Sequence, residues 1–173
     1  MPHTRHMLVT LAAALSCFAF PAQAAETVFV AKMDGAQIQP EPVKTSATGE
    51  VVFRLSADGK KVAYKVTVEK LSNVSAADMH LGSESQNGPL VVKLWPQGAP
   101  AKKGEFSGVL AEGTFDAADF QGSMVGSPMS DLAEELKGGR VYVNVHTSDG
   151  KDPPNSGPGD YRLGEIRGQL KQQ

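Results

Sequence analysis

Cysteine is nearly absent from this chain of 173 residues; the only one is Cys17, in an apolar stretch at the amino terminus. The body of the chain therefore has no disulfide staple, thiolate metal centre or thiol nucleophile. Histidine is also scarce. Of four, His3 and His6 belong to the leading stretch, which leaves His80 and His146 and excludes any centre built from several imidazoles. There is no Gly-x-Ser-x-Gly elbow for a hydrolytic serine, and no Gly-x-x-x-x-Gly-Lys-Ser/Thr loop for a phosphate. No complete catalytic constellation is present, so the chain does not read as an enzyme. Positive charge is not in excess: 17 Lys and Arg stand against 19 Asp and Glu, a net charge of −2. Without a basic stripe, neither nucleic acid nor an anionic membrane is an expected partner.

Long hydrophobic runs are missing too. The longest is Met7 to Phe20, about 14 residues, short of the roughly 20 that a membrane span needs. It follows Met1 to His6, which carries Arg5 and no acid, and precedes Pro21-Ala22-Gln23-Ala24. That order reads as a secretory signal peptide over residues 1–24, cleaved after Ala24. Lipid attachment at Cys17 fits less well, because Ala14 stands where leucine is expected and Phe18-Ala19-Phe20 continues the apolar run. Taking 24 residues from 173 leaves 149, a normal size for one domain over 25–173. The expected compartment is the periplasm or the exterior, and the protein is not expected to cross a membrane.

What the chain has in quantity is alternation. Val141, Val143 and Val145 take one phase of a strand, and Tyr142, Asn144 and His146 the other. Val51, Phe53 and Leu55 mark a second half-buried strand. Asp58-Gly59 makes a hairpin turn into Val62, Tyr64, Val66 and Val68. Ala77, Met79 and Leu81 face inward while Asp78 and His80 share the other phase. Asn87-Gly88-Pro89 turns into Leu90 to Trp95, apolar enough for a central strand. Trp95 there caps the edge of the sheet or anchors a partner. Gly104 to Phe115 reads as further short strands. Ser130 or Asp131 caps a short helix that runs through Leu136 and ends at Gly138-Gly139. Ser148 to Leu163 is a long loop, functional or mobile and outside the core. Ile166 and Leu170 point inward on a last strand, with Glu165, Arg167 and Gln169 outward. Many short alternating strands and one short helix predict an antiparallel β-sandwich or barrel.

Several of these segments together resemble the CHRD domain, the module named after its repeats in chordin and also found singly in exported bacterial proteins. They are Thr48-Gly49, Asp58-Gly59 before Tyr64, the segment before Gly82, Asn87-Gly88-Pro89-Leu90-Val91-Val92, Gly139 to Thr147, and Gly164-Glu165-Ile166-Arg167-Gly168-Gln169-Leu170. The resemblance implies an immunoglobulin-like or superoxide-dismutase-like β-sandwich, and a binding or interaction module whose ligand is undefined. Such a ligand is a protein or small molecule of the periplasm or exterior. The family pattern near residue 80 reads Ala-His-Ile-His-x-Gly; here Asp78 takes the place of the first histidine. Two histidines are too few for superoxide dismutase chemistry.

The outward phases of three strands give one polar face: Asp78 and His80; Tyr142, Asn144 and His146; Glu165 and Arg167. Neighbouring strands lie about 4.8 Å apart, which brings these side chains within mutual reach. The reading preferred from sequence is a hydrogen-bonded network without a resident ion. In it Arg167 pairs with Asp78 or Glu165, the histidines donate to backbone or to Asn144, and the guanidinium repels any cation. The alternative is a metal site of Asp78, His80 and His146, completed by solvent or Glu165 and suited to one copper or zinc ion.

Overall fold

A computed structural model describes residues 25–95 and 102–173. The expected signal peptide over residues 1–24 lies outside the described residues, as does Pro96.

The strands are β1 (Thr27–Asp34), β2 (Thr48–Leu55), β3 (Val62–Leu81), β4 (Leu90–Trp95), β5 (Lys102–Phe115), β6 (Val141–Thr147), β7 (Ile166–Gln169) and β8 (Lys171–Gln172). All the pairings are antiparallel. Neighbours run β2-β1-β7-β6-β3, and β3 pairs back with β2, so the path closes on itself. Closure removes the free edges that five strands in an open sheet would present. One helix, α1 (Met129–Lys137), packs its apolar side inward with Met129, Leu132, Ala133 and Leu136 buried. It begins one residue before Ser130, at a Pro128 cap with no side-chain bond, so neither Ser130 nor Asp131 is the cap. Gly138 and Gly139 end it as expected, Gly139 with φ +64°.

The strand phases follow the alternation. Phe29, Met33, Val51, Phe53, Val66, Val68, Met79, Val143, Val145, Ile166 and Leu170 form the core, each at most 1 % exposed. The return strand of the hairpin and the Ala77–Leu81 segment are not separate strands but one, the 20-residue β3. Along one edge it pairs first with β2 (Val62 to Glu69) and then with β6 (Val74 to Leu81). The other edge takes β5 and then β4. The change of partners falls at Lys70 and Asn73, both with positive φ, among register shifts against β5. Bulges of this kind bend and twist a strand enough to carry it from one group of neighbours to another.

One edge reading changes, and the choice left open at Trp95 is made. Among the described residues strand β4 pairs only with β3 and is not central. It is apolar because Val91, Val92, Leu94 and Trp95 are all buried. Trp95 is 7 % exposed and part of the core cluster, so it offers nothing to a partner.

The outward face of β3, β6 and β7 is where the fold departs most from simple alternation. Tyr142, Asn144, Arg167 and Gln169 take the polar phase, yet all are buried. Two loops cover them. Ser83 to Gly88 folds back over β6 and β7, as the bonds from Arg167 to the carbonyls of Ser83 and Gln86 show. Arg162 to Gly164 folds over the other end, where the Leu163 carbonyl accepts from Asn144 Nδ2 at 3.0 Å. The long loop is therefore not free of the interior. Gly159 and Asp160 are buried, and Thr147 and Tyr161 exchange two bonds that stitch the loop to β6.

Candidate functional site

Asp78 and His80 project from β3 with one residue between them. Across the ladder Asp78 faces Asn144, His80 faces Tyr142, and His146 faces Ala76. The two histidines thus stand two places to either side of Asp78, and their rings lean in over it to a centroid separation of 6.4 Å. One potential ligand atom from each of Asp78, His80 and His146 lies within 4.8 Å of the other two. Asp78 Oδ2 is 3.6 Å from His146 Nε2. That is too long for a hydrogen bond. It is near the ~3.4 Å that separates two ligands bound about 2.05 Å from one tetrahedral ion.

The backbone fixes which ring nitrogens carry protons. His80 Nδ1 is 3.1 Å from the Gly88 carbonyl, and His146 Nδ1 is 2.9 Å from the Arg162 carbonyl. A carbonyl only accepts, so each Nδ1 must be the N–H. In the neutral ring Nε2 then holds the lone pair. Both Nε2 atoms and Asp78 Oδ1 are buried without a hydrogen-bond partner among the described residues. With Asp78 ionised and both rings neutral, three acceptors thus stand together with no donor from the described residues between them.

Burial also works against charge on the protein side. It pushes the Asp78 carboxyl up from its ordinary value, with His146 and Lys93 pulling the other way. It pushes the His80 imidazole down, against the Gly88 carbonyl, while His146 and Arg167 add to the lowering. A bound divalent cation would supply the positive charge that burial denies the His80 imidazole, and would hold Asp78 ionised.

Around these three the expected pairings differ. Arg167 is 1 % exposed and pairs with neither Asp78 nor Glu165. It donates to the carbonyls of Ser83 (2.7 Å) and Gln86 (3.1 Å) and to Asn87 Oδ1 (3.4 Å). Its guanidinium carbon lies 3.7 Å from the Tyr142 ring centroid. Tyr142 in turn stacks on His80, with centroids 5.0 Å apart and planes 9° from parallel. Since β6 lies between β3 and β7, the Tyr142 ring separates the guanidinium from the imidazole. The repulsion expected of Arg167 is accordingly the smallest of the influences on His80. Glu165 is engaged elsewhere: Oε1 accepts from Thr45 Oγ1 (2.6 Å), and Oε2 from Thr147 Oγ1 (2.7 Å) and the Gly159 amide (2.8 Å). It neither pairs with Arg167 nor completes the cluster. Asn144 bonds to Leu163, while the histidines take the backbone partners that the network reading also expected of them.

Gly88 is the residue the sequence did not single out. Its carbonyl accepts from His80, and its amide donates to Tyr142 Oη at 3.1 Å. A side chain there is impossible without rearrangement, because a Cβ would fall 1.7 Å from the Leu81 carbonyl oxygen. Asn87-Gly88-Pro89 was legible as a turn, and a turn that returns beside His80 was the available signal.

The CHRD domain family model matches residues 29–154, more than half of the chain. The chain belongs to the CHRD domain family. The match takes in Asp78, His80, Gly88 and His146, and it stops short of Glu165 and Arg167. It is thus shorter than the resemblance read from the sequence, which ran on to Leu170. No curated protein and no solved structure matches this CHRD chain significantly. No helix among its described residues is long and apolar enough to cross a membrane.

Proposed function

We propose that this CHRD domain is an exported binding module that holds one divalent transition-metal ion through the Asp78 carboxylate, His80 Nε2 and His146 Nε2. The observation that carries the reading is the pair of carbonyl contacts at the two Nδ1 atoms. They leave both Nε2 lone pairs unpartnered beside the Asp78 carboxylate, the arrangement in which a metal-binding histidine donates its other N–H to a backbone carbonyl. Two imidazoles and a carboxylate, with no sulfur, suit Zn(II) or Cu(II) better than Cu(I). Met79, next in sequence to both Asp78 and His80, faces the core on the opposite side of the strand. Three protein ligands leave one position of a four-coordinate ion to a small ligand.

The module itself is residues 25–173, released into the periplasm or the exterior after cleavage behind Ala24. An intact-mass measurement on exported protein tests that boundary. The passage of β3 from one group of strands to another supports an immunoglobulin-like or superoxide-dismutase-like sandwich. The metal reading is tested by elemental analysis of protein purified without chelator, with thermal melts in Zn(II), Cu(II) and EDTA. An ion present at one hundred times its dissociation constant adds about 2.7 kcal/mol to stability. Asp78→Ala, His80→Ala and His146→Ala should each abolish that response. A wild-type melt indifferent to metal and chelator, with no ion found, would reject the assignment.

A further inference from the structure

A buried guanidinium ordinarily faces a carboxylate, since desolvation without a counter-charge is expensive. Arg167 has none within ion-pair distance among the described residues, and burial pushes its pKa down. Its hydrogen-bond donors instead go to one short loop, the six residues Ser83 to Gly88 that follow β3. Those three acceptors are spread over Ser83, Gln86 and Asn87, and a planar fork can reach all of them while its face rests on Tyr142. The loop so held ends in Gly88. There one residue touches both site-side rings, its carbonyl accepting from His80 Nδ1 and its amide donating to Tyr142 Oη. The chain of contacts runs from Arg167 through the loop backbone to the tautomer of His80.

We propose that Arg167 is a positioning residue for the metal site: by clamping the Ser83–Gly88 loop it keeps the Gly88 carbonyl on His80 Nδ1 and so leaves Nε2 free to ligate. The proposal rests on the metal reading for its consequence but not for its mechanism, because the tautomer is a property of the metal-free protein. His146 is the internal control. Its Nδ1 is held by the Arg162 carbonyl, in a different loop that Arg167 does not touch.

The test compares wild type with Arg167→Met and Arg167→Lys, using long-range proton–nitrogen correlation of the imidazoles at neutral pH and competition titrations with Zn(II). Wild type should show both histidines protonated at Nδ1. In Arg167→Met, His80 should become a mixture of tautomers while His146 keeps its own, and Zn(II) affinity should fall 10- to 100-fold with all three ligands in place. Lysine, with one ammonium in place of a fork, should not restore either quantity. A His80 that stays wholly Nδ1-protonated in Arg167→Met, or an affinity within threefold of wild type beside a scrambled tautomer, overturns the proposal. If Arg167→Met does not fold, Asn87→Ala removes one of the three acceptors and carries the test. It should shift His80 in the same direction by less, and an unchanged His80 overturns the proposal there too. If wild type binds no Zn(II), the metal reading fails by itself, and the tautomer comparison still decides whether Arg167 sets the His80 ring.

Discussion

Glu165 and Arg167 are two residues apart, each 1 % exposed, and they turn to different partners. The carboxylate takes two threonine hydroxyls and an amide, and the guanidinium takes loop carbonyls. The hydrogen bonds of each go to neutral groups, with Glu84 acting on Arg167 only at longer range, so each fastens a different pair of segments. Glu165 ties Thr45 and Gly159 to the end of β6; Arg167 ties the Ser83–Gly88 loop to β7.

Glu165→Ala should therefore be among the costly single changes. It leaves two hydroxyls and an amide without their acceptor in a buried place, and hydrogen bonds to a charged group contribute about 1.5–3 kcal/mol each. A loss of about 3 kcal/mol or more is expected in chemical denaturation, with faster hydrogen exchange at the Gly159 amide. Glu165→Gln keeps the shape and one good acceptor, and should lose about 1 kcal/mol. A fully stable Glu165→Ala would show that the carboxylate holds nothing.

Gly88→Ala tests the close approach behind His80. The new Cβ would lie 1.7 Å from the Leu81 carbonyl oxygen, so the backbone must move and take both Gly88 contacts with it. A stability loss of about 2–3 kcal/mol is expected, in the range of strained backbone substitutions. Metal affinity should drop as well, read by the same Zn(II) competition. Normal stability with wild-type affinity would mean that the loop can relax without disturbing His80.

The pH dependence of the metal-free protein has a definite sign at His80. Its folded pKa is depressed by burial, so below about 6.5 the unfolded chain binds the proton first. The stability contributed by neutral His80 is present above that pH and is lost as pH falls through the folded value. Asp78 acts the other way at lower pH: its folded pKa is raised, so its contribution is present below the unfolded carboxylate value and is lost as pH rises through the folded one. Melts of metal-free protein should fall as the pH drops below about 6.5. His80→Gln should flatten that part of the profile, and an unchanged slope in the variant would place the titrating group elsewhere.

The loop after β6 divides into two parts of different cost. Residues 150–154 are exposed, and removing them should change stability by under about 1 kcal/mol. Asp160 is 2 % exposed and accepts from both the amide and the hydroxyl of Ser156. Asp160→Ala should cost about 1–3 kcal/mol. Denaturation midpoints of the two variants check the contrast, and equal losses would contradict it.

Much of this was legible in the sequence, and the reason is period. Val141, Val143 and Val145 fix the phase of β6, Ala77 and Met79 fix that of β3, and phase alone puts Asp78, His80 and His146 on one face. What periodicity cannot carry is the cover over that face. The Ser83–Gly88 and Arg162–Gly164 segments have turn composition, and nothing in turn composition says where a loop lies down. The partners of Arg167 were hidden for a similar reason: they are mainly backbone carbonyls, which every residue has, so a search for a carboxylate pointed to Asp78 and Glu165. The unity of β3 was hidden by Lys70, Ser72 and Asn73, polar residues around the buried Leu71 that resemble a connection and belong to a bend.

That bend has a consequence for how the protein opens. Because β3 is hydrogen-bonded to β2, β5, β6 and β4 in turn, no outer strand can detach it, and it is paired along both edges from Val62 to Val68 and from Ala77 to His80. Exchange with deuterium from Ala77 to Met79 should then require the cooperative unfolding of the whole domain, at the slow rate that sets. Asp78 and His80 ride on that most persistent segment, whereas the carbonyls that orient the two imidazoles sit on loops able to open locally. An ion held here would be let go by loosening of the roof, with the floor of the site unmoved.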